Sequence, residues 1–246
     1  MTKFDKAKEL FRDVVDLNSY IPLTSSEKTK DDLISAINQK EKLILLTGDA
    51  GSGKSLLLNK VYFELRNEKK IFYVSNPYLE IKALLELLKN LDINVHQVLL
   101  IDEAQLLTSE LWENLRIYAD RGNVTIVFAT HDIDIKKLLQ KKHFKTRINY
   151  IIRVKKVTQH EVKQFVLTKL LKNNLNEIAD MFSDSNFKKI YKHSKGSLRA
   201  VNQLMFKLFD VLSYFDKKYP EKIKEKIENK YIEIAIMDLK AYNAQI

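Results

Sequence analysis

The sequence predicts an α/β domain with a parallel sheet covered by helices on both faces, followed by an all-helical domain. Three observations predict this. Short apolar runs alternate with helix-period stretches up to Val154. Beyond Val154 the helical period continues, but no strand-like run follows. A glycine-rich loop separates the first apolar run from a helical pattern, and it holds three of the five glycines in the chain. A length of 246 residues suits one or two domains and is ample for a sizeable core.

In chain order, Thr29-Lys30-Asp31-Asp32 has the form of a capping box and predicts a helix opening before the first strand. Strands are predicted over Lys42–Thr47, Lys70–Ser75, Gln97–Asp102, Val124–Thr130 and Asn149–Val154. Stretches between them, such as Ile81–Leu88, carry Leu and Ile at helical spacing. Strands alternating with helices imply a parallel sheet with crossover connections. Thr158-Gln159-His160-Glu161 is a second capping box, and it leads into Val162, Phe165, Val166 and Leu170 on one helical face. Further helices are predicted over Ser185–His193, from Ser197 through Leu198, Val201, Leu204, Met205 and Leu208, and from Pro220 to the end. The expected division is residues 1–155 and 156–246.

The chain carries 42 basic and 32 acidic side chains, a net charge of +10. Nine Lys or Arg residues and no acid lie between Ile135 and His160. Such a charge favours a polyanion, whether nucleic acid, acidic lipid or nucleotide, and the strip equally suits a solvated face. The absence of Cys excludes a disulfide framework and thiolate metal sites. No apolar run reaches the roughly 18 residues of a membrane span. The start Met1-Thr2-Lys3-Phe4-Asp5-Lys6 lacks a signal-peptide core, so a cytoplasmic location is expected.

The loop reads Gly48-Asp49-Ala50-Gly51-Ser52-Gly53-Lys54-Ser55 and fits G-x-x-x-x-G-K-[ST] at every fixed position. Backbone N–H groups and the N-terminus of the following helix would cradle a nucleotide phosphate chain there. Val98-Leu99-Leu100-Ile101-Asp102-Glu103 ends a buried strand in two acids. Asp102 is expected to order Mg²⁺ together with Ser55. Glu103 stands where a carboxylate would polarise an attacking water. A kinase of small metabolites needs no such base, because its acceptor is a hydroxyl. The pair therefore points to hydrolysis of ATP or GTP. Thr130 ends a strand expected between the loop strand and the acid strand, placed to orient the water or touch the γ-phosphate. His131 follows it, with no second His or Cys nearby to suggest a metal site.

Asp102-Glu103-Ala104-Gln105, Thr130, Arg147 before the fifth strand and the helical tail together resemble the AAA+ P-loop ATPases. Asn76-Pro77, Asp102–Leu107 and the stretch from Phe182 to Asn202 are most similar to the ExeA-type (general secretion pathway protein A) group. That group usually has Ile-Pro before the arginine, where this chain has Ser197 and Leu198. The resemblance implies a three-layer P-loop NTPase core with strand order 5-1-4-3-2 and a helical lid. It implies ATP as the nucleotide, Thr130 as sensor 1, Arg199 as sensor 2, and Arg147 as a finger into a neighbouring subunit. Lys145 and Arg153 are alternatives for the finger. It further implies a possible homo-oligomer, and partners in a secretion, type IV pilus or DNA-uptake machine reached from the cytoplasm or the inner-membrane surface. Ending after the lid, the chain would be the motor or switch of such a system. A DNA-bound ATPase of the transposition-helper or replication-loader kind shares the same core, and the basic strip 136–156 favours it. Against it, no helix-turn-helix is evident, and aromatics are not interleaved with the strip. Asp102-Glu103-Ala104-Gln105 also resembles a helicase box, but a helicase needs a second RecA-like domain that the helical remainder is too short to supply. A nucleotide-gated scaffold with slow turnover is a non-enzymatic reading.

Overall fold

The computed structural model describes residues 2–12, 20–92, 94–133, 148 and 150–243. They fall into two compact units. One is Thr24–Lys155, and the other joins Met1–Leu23 to Lys156–Ile246.

The first unit is a five-stranded parallel sheet in the order β2-β3-β4-β1-β5. Its strands are β1 (Leu43–Gly48), β2 (Lys70–Val74), β3 (Gln97–Ile101), β4 (Val124–His131) and β5 (Tyr150–Arg153). Each lies within a residue or so of its predicted span, because buried parallel strands are near-continuous apolar runs. Alternation then divides the strand residues between two faces. Ile44, Leu46, Val98, Leu100, Val127 and Ala129 face Leu33 and Ile37 of α2 (Thr24–Asn38) and Leu58 and Val61 of α3 (Lys54–Leu65). Leu43, Leu45, Leu99, Ile101, Ile126 and Phe128 pack with Leu84 and Leu88 of α4 (Ile81–Lys89) and Leu111, Trp112 and Leu115 of α5 (Ser109–Asp120). The Trp112 and Phe128 ring centroids are 4.0 Å apart.

The register places the chemistry. Thr47 pairs with Thr130 and Gly48 with His131, so the loop after β1 opens beside the end of β4. Ile101 pairs with Phe128, which leaves β4 running three residues beyond β3. The acids after β3 therefore lie beside the last residues of β4, at the carboxyl edge where open α/β sheets bind ligands.

The second unit has α6 (Gln159–Leu171), α7 (Asn176–Asp180), α8 (Asp184–Ser194), α9 (Leu198–Lys218) and α10 (Asn229–Asn243). The expected box at Thr158 is formed: its hydroxyl caps the Glu161 amide, and the Glu161 carboxylate accepts from the Thr158 amide. α1 (Lys3–Leu10) carries a similar box between Thr2 and Asp5.

Two expectations are corrected. Residues 1–23 do not belong with the nucleotide unit. Phe4, Ala7 and Phe11 are fully buried in the core of the helical unit, where Phe4 and Phe11 lie 6.5 Å and 5.6 Å from Phe209. An amphipathic helix at one chain end does not reveal in sequence which apolar surface it covers. The Thr29–Asp32 box is also not a cap, because α2 starts earlier, at Thr24. Thr29 Oγ1 donates to the Ser25 carbonyl at 2.8 Å, a bond that satisfies a hydroxyl inside a helix. Among the described residues, no helix is long and apolar enough to cross a membrane.

Candidate nucleotide-binding and hydrolytic site

The loop Gly48–Ser55 connects β1 to α3. Gly51 (φ 71°) and Gly53 (φ 97°) adopt left-handed backbone that other residues resist. Gly48 is needed for a different reason: a Cβ there would come within 2.9 Å of the Val154 carbonyl and 2.8 Å of Ser52 Oγ. Ser52 is buried, and its hydroxyl has no partner among the described residues. Such a group costs stability unless something bound satisfies it.

Lys54 is the first residue of α3 and is buried. Its ammonium donates to the carbonyls of Gly48 (3.0 Å) and Asp49 (3.1 Å) and to His131 Nδ1 (3.2 Å). Three donors thus meet three neutral acceptors. Phosphate oxygens would make stronger, charge-assisted bonds to the same group. Burial pushes the Lys54 ammonium below its ordinary value, against the pull of Glu103, Asp102, Asp132 and Asp49.

Asp102 follows β3 and is buried. Burial raises its carboxyl above the ordinary range, opposed by hydrogen bonds from the Ser55 side chain and the Glu103 amide, the latter at 2.9 Å. The Tyr73 hydroxyl donates to Asp102 Oδ2 at 3.4 Å and accepts from Asn59 Nδ2 at 3.0 Å. Asn59 also donates to the Ser55 carbonyl at 2.9 Å. One chain of bonds therefore joins the helix after the loop, strand β2 and the acid. Burial and the neighbouring Asp102 push the Tyr73 phenol up, which keeps it a hydrogen-bond donor. Ser55 and Asp102 form an oxygen-donor pair suited to Mg²⁺.

Glu103 has φ 47° and ψ 40°, a left-handed conformation unusual for a residue with a side chain. It caps a short 3-10 turn, Ala104–Leu106, and the Leu106 amide donates to its carbonyl at 2.9 Å. Gln105 Nε2 donates to Glu103 Oε2. Thr130, which is buried, donates through Oγ1 to Gln105 Oε1 at 3.1 Å. Thr130 therefore lies between the loop strand and the acid strand, as expected, and touches Gln105. His131 Nε2 lies 3.5 Å from Glu103 Oε2.

The structure brings Lys54, Ser55, Asp102, Glu103 and Thr130 together. Arg199 lies in the first turn of α9, with an exposed side chain, in the helical unit. Arg147 and Lys145 lie outside the described residues, as do residues 136–147 of the basic strip. Arg153 is held within its own chain: its guanidinium donates to Asp132 Oδ2 at 2.6 Å, and Thr47 Oγ1 donates to the other Asp132 oxygen. Burial opposes it, but these two bonds bring the Asp132 carboxyl below its ordinary range. A lone histidine carries no spacing signal, so the sequence assigns His131 no role. Asn59 and Tyr73 carry no sequence signal either, because their link exists only across the fold.

No curated protein matches the chain significantly. Solved structures with a similar fold include RuvB from Thermotoga maritima, a Holliday junction branch migration motor, at 22% identity, TM-score 0.61, 87% of this chain and 68% of that one. Domain III of the replication initiation protein DnaA from Thermotoga maritima aligns at 17% identity and TM-score 0.58, over 91% of this chain and 96% of that one. Cdc6p from Pyrobaculum aerophilum aligns at 15% identity and TM-score 0.62, over 93% and 70%. The sheet order and these likenesses give the AAA+ P-loop NTPase fold. The model of the family described as Novel STAND NTPase 5 matches residues 7–143. The chain belongs to the Novel STAND NTPase 5 family.

Proposed function

We propose that this chain is an ATPase that binds Mg-ATP in the loop Gly48–Ser55 and hydrolyses it with Glu103 as the general base. The observation that carries the reading is the convergence of Lys54, Ser55, Asp102 and Glu103 at the carboxyl edges of β1 and β3. Lys54 would hold phosphate oxygens. Ser55 and Asp102 would hold Mg²⁺, which neutralises developing charge on those oxygens when bound. Glu103 would take the proton of the attacking water. In this reading Thr130 acts as sensor 1, Arg199 as sensor 2, and Arg147 as the finger into a neighbouring copy. Residues 24–155 would then work as the core, and residues 1–23 with 156–246 as the lid. Lys54→Ala should abolish ATP binding, measured by titration with a fluorescent ATP analogue. Unchanged affinity would remove the basis for the reading.

The work driven by hydrolysis would be a conformational or assembly change. The ExeA-type resemblance supports service to a secretion, type IV pilus or DNA-uptake machine, with the chain in the cytoplasm or at the inner-membrane surface through a partner. A DNA-bound role is the second reading. It is supported by the shared fold with a branch migration motor and a replication initiation protein, and by exposed Arg153, Lys155 and Lys156 at the end of the basic strip. Steady-state ATP hydrolysis with and without single- and double-stranded DNA separates the two. Stimulation that disappears at high salt favours DNA handling. Turnover indifferent to DNA favours a switch that answers to a protein partner.

A further inference from the structure

We propose that His131 is a positioning residue that ties the phosphate loop to the aim of Glu103. This rests on the reading of Glu103 as the base, and it assigns a role to a residue that neither the loop motif nor the acid pair includes. Lys54 Nζ stands 3.2 Å from His131 Nδ1. An ammonium only donates, so Nδ1 must present its lone pair. The neutral ring then carries its proton on Nε2, the nitrogen 3.5 Å from Glu103 Oε2. Lys54 thus selects the tautomer that offers a donor to the base. The register fixes the ring between the two, because His131 is paired with Gly48 at the mouth of the loop.

Gln105 supplies the second hold on Glu103, and Thr130 anchors Gln105 in turn. Glu103 needs holding, because its left-handed backbone is a strained conformation that its surroundings must enforce. The two holds differ in what they sense. Among the described residues, the Gln105 and Thr130 side chains bond only to each other and to Glu103. His131 also contacts Lys54, the group that a phosphate would draw toward itself. Loading the loop changes the partner of Nδ1, and through the ring it changes the setting of Glu103. Among the described residues, Asp49, Asp102 and Asp132 also act on Lys54, and Asp132 is paired with Arg153.

The two ring nitrogens can be tested separately. His131→Asn keeps an acceptor near the Nδ1 position and loses the reach to Glu103. His131→Gln keeps a donor near the Nε2 position. For Mg-ATP, His131→Ala and His131→Asn should lower kcat by about ten- to a hundredfold, the scale of misplacing a reacting group by an ångström. Affinity for a fluorescent ATP analogue should stay within about twofold, since Lys54 keeps its carbonyl partners and its phosphate. His131→Gln should recover a substantial part of kcat. Glu103→Gln is measured in parallel. If Glu103→Gln is inactive while His131→Ala turns over at the parent rate, the role of His131 is wrong and the base stands. If Glu103→Gln keeps parental turnover, the reading of Glu103 itself is wrong. A His131→Ala variant that loses ATP affinity and kcat together, with no recovery in His131→Gln, would show a ring that merely supports the fold of the loop.

Discussion

Gly196 shows how a single residue can be fixed by backbone chemistry. It has φ +77°, and a Cβ there would come within 2.5 Å of the Val157 carbonyl. The Val157 amide donates to the Gly196 carbonyl at 3.2 Å, so the two segments cannot separate without losing that bond. Gly196→Ala should destabilise the helical unit by about 2–4 kcal/mol, from left-handed strain plus a clash with backbone. Chemical denaturation followed by far-UV circular dichroism measures it. At this scale the sequence told most about the loop and the two acids, because their function depends on fixed spacings along the chain. It told little about Gln105 and His131, whose meaning comes from neighbours 25 and 77 positions away: Thr130 and Lys54. Thr29 is the opposite case, a pattern that matched a cap while its hydroxyl bonded inside the helix.

Among the elements, α1 depends most on distant partners. Asp5 accepts from the Ser213 and Lys217 side chains of α9 and from the Thr2 amide. The Ser213 bond first, then Lys217 and the Thr2 amide, hold the Asp5 carboxyl well below the usual carboxylate range. A depressed carboxyl contributes stability above its unfolded pKa of about 3.9, and that stability is lost as pH falls toward the folded value. Asp5→Asn should therefore lower the helical unit's stability at neutral pH and flatten its loss on acidification below about pH 4. Thermal denaturation at a series of pH values shows whether the two curves converge in acid. In the other unit, α5 holds Trp112, which is 2% exposed and packed on Phe128. Trp112→Ala should cost about 3–5 kcal/mol. The strands were legible because each is a short apolar run, and α5 because its apolar residues recur at helical spacing. The docking of α1 was not, because Asp5 finds its partners Ser213 and Lys217 more than 200 residues away.

On the scale of the whole molecule, the chain contains one tryptophan, and it lies in the nucleotide unit. Tryptophan fluorescence therefore reports unfolding of that unit, while the helical unit has no tryptophan of its own. Phe11→Ala removes a fully buried ring from the helical core and should shift the circular dichroism transition by about 3–5 kcal/mol. The tryptophan transition should stay within about 0.5 kcal/mol of the parent, as expected when each unit's core unfolds by itself. An equal shift in both signals would show one cooperative unit in place of two. The α/β-then-helical order was legible from the change of period after Val154. The return of the N-terminus to the second unit was not, since chain order alone does not say which core an end helix joins.

Phosphate release and ATP-analogue binding, measured in parallel for the parent chain and Glu103→Gln, decide whether Glu103 is the base of an ATPase. The parent should hydrolyse ATP in a Mg-dependent way, and the variant should lose turnover by at least about a hundredfold while keeping nucleotide affinity. Hydrolysis by Glu103→Gln at the parental rate, or a parent chain that binds no ATP, would contradict that role.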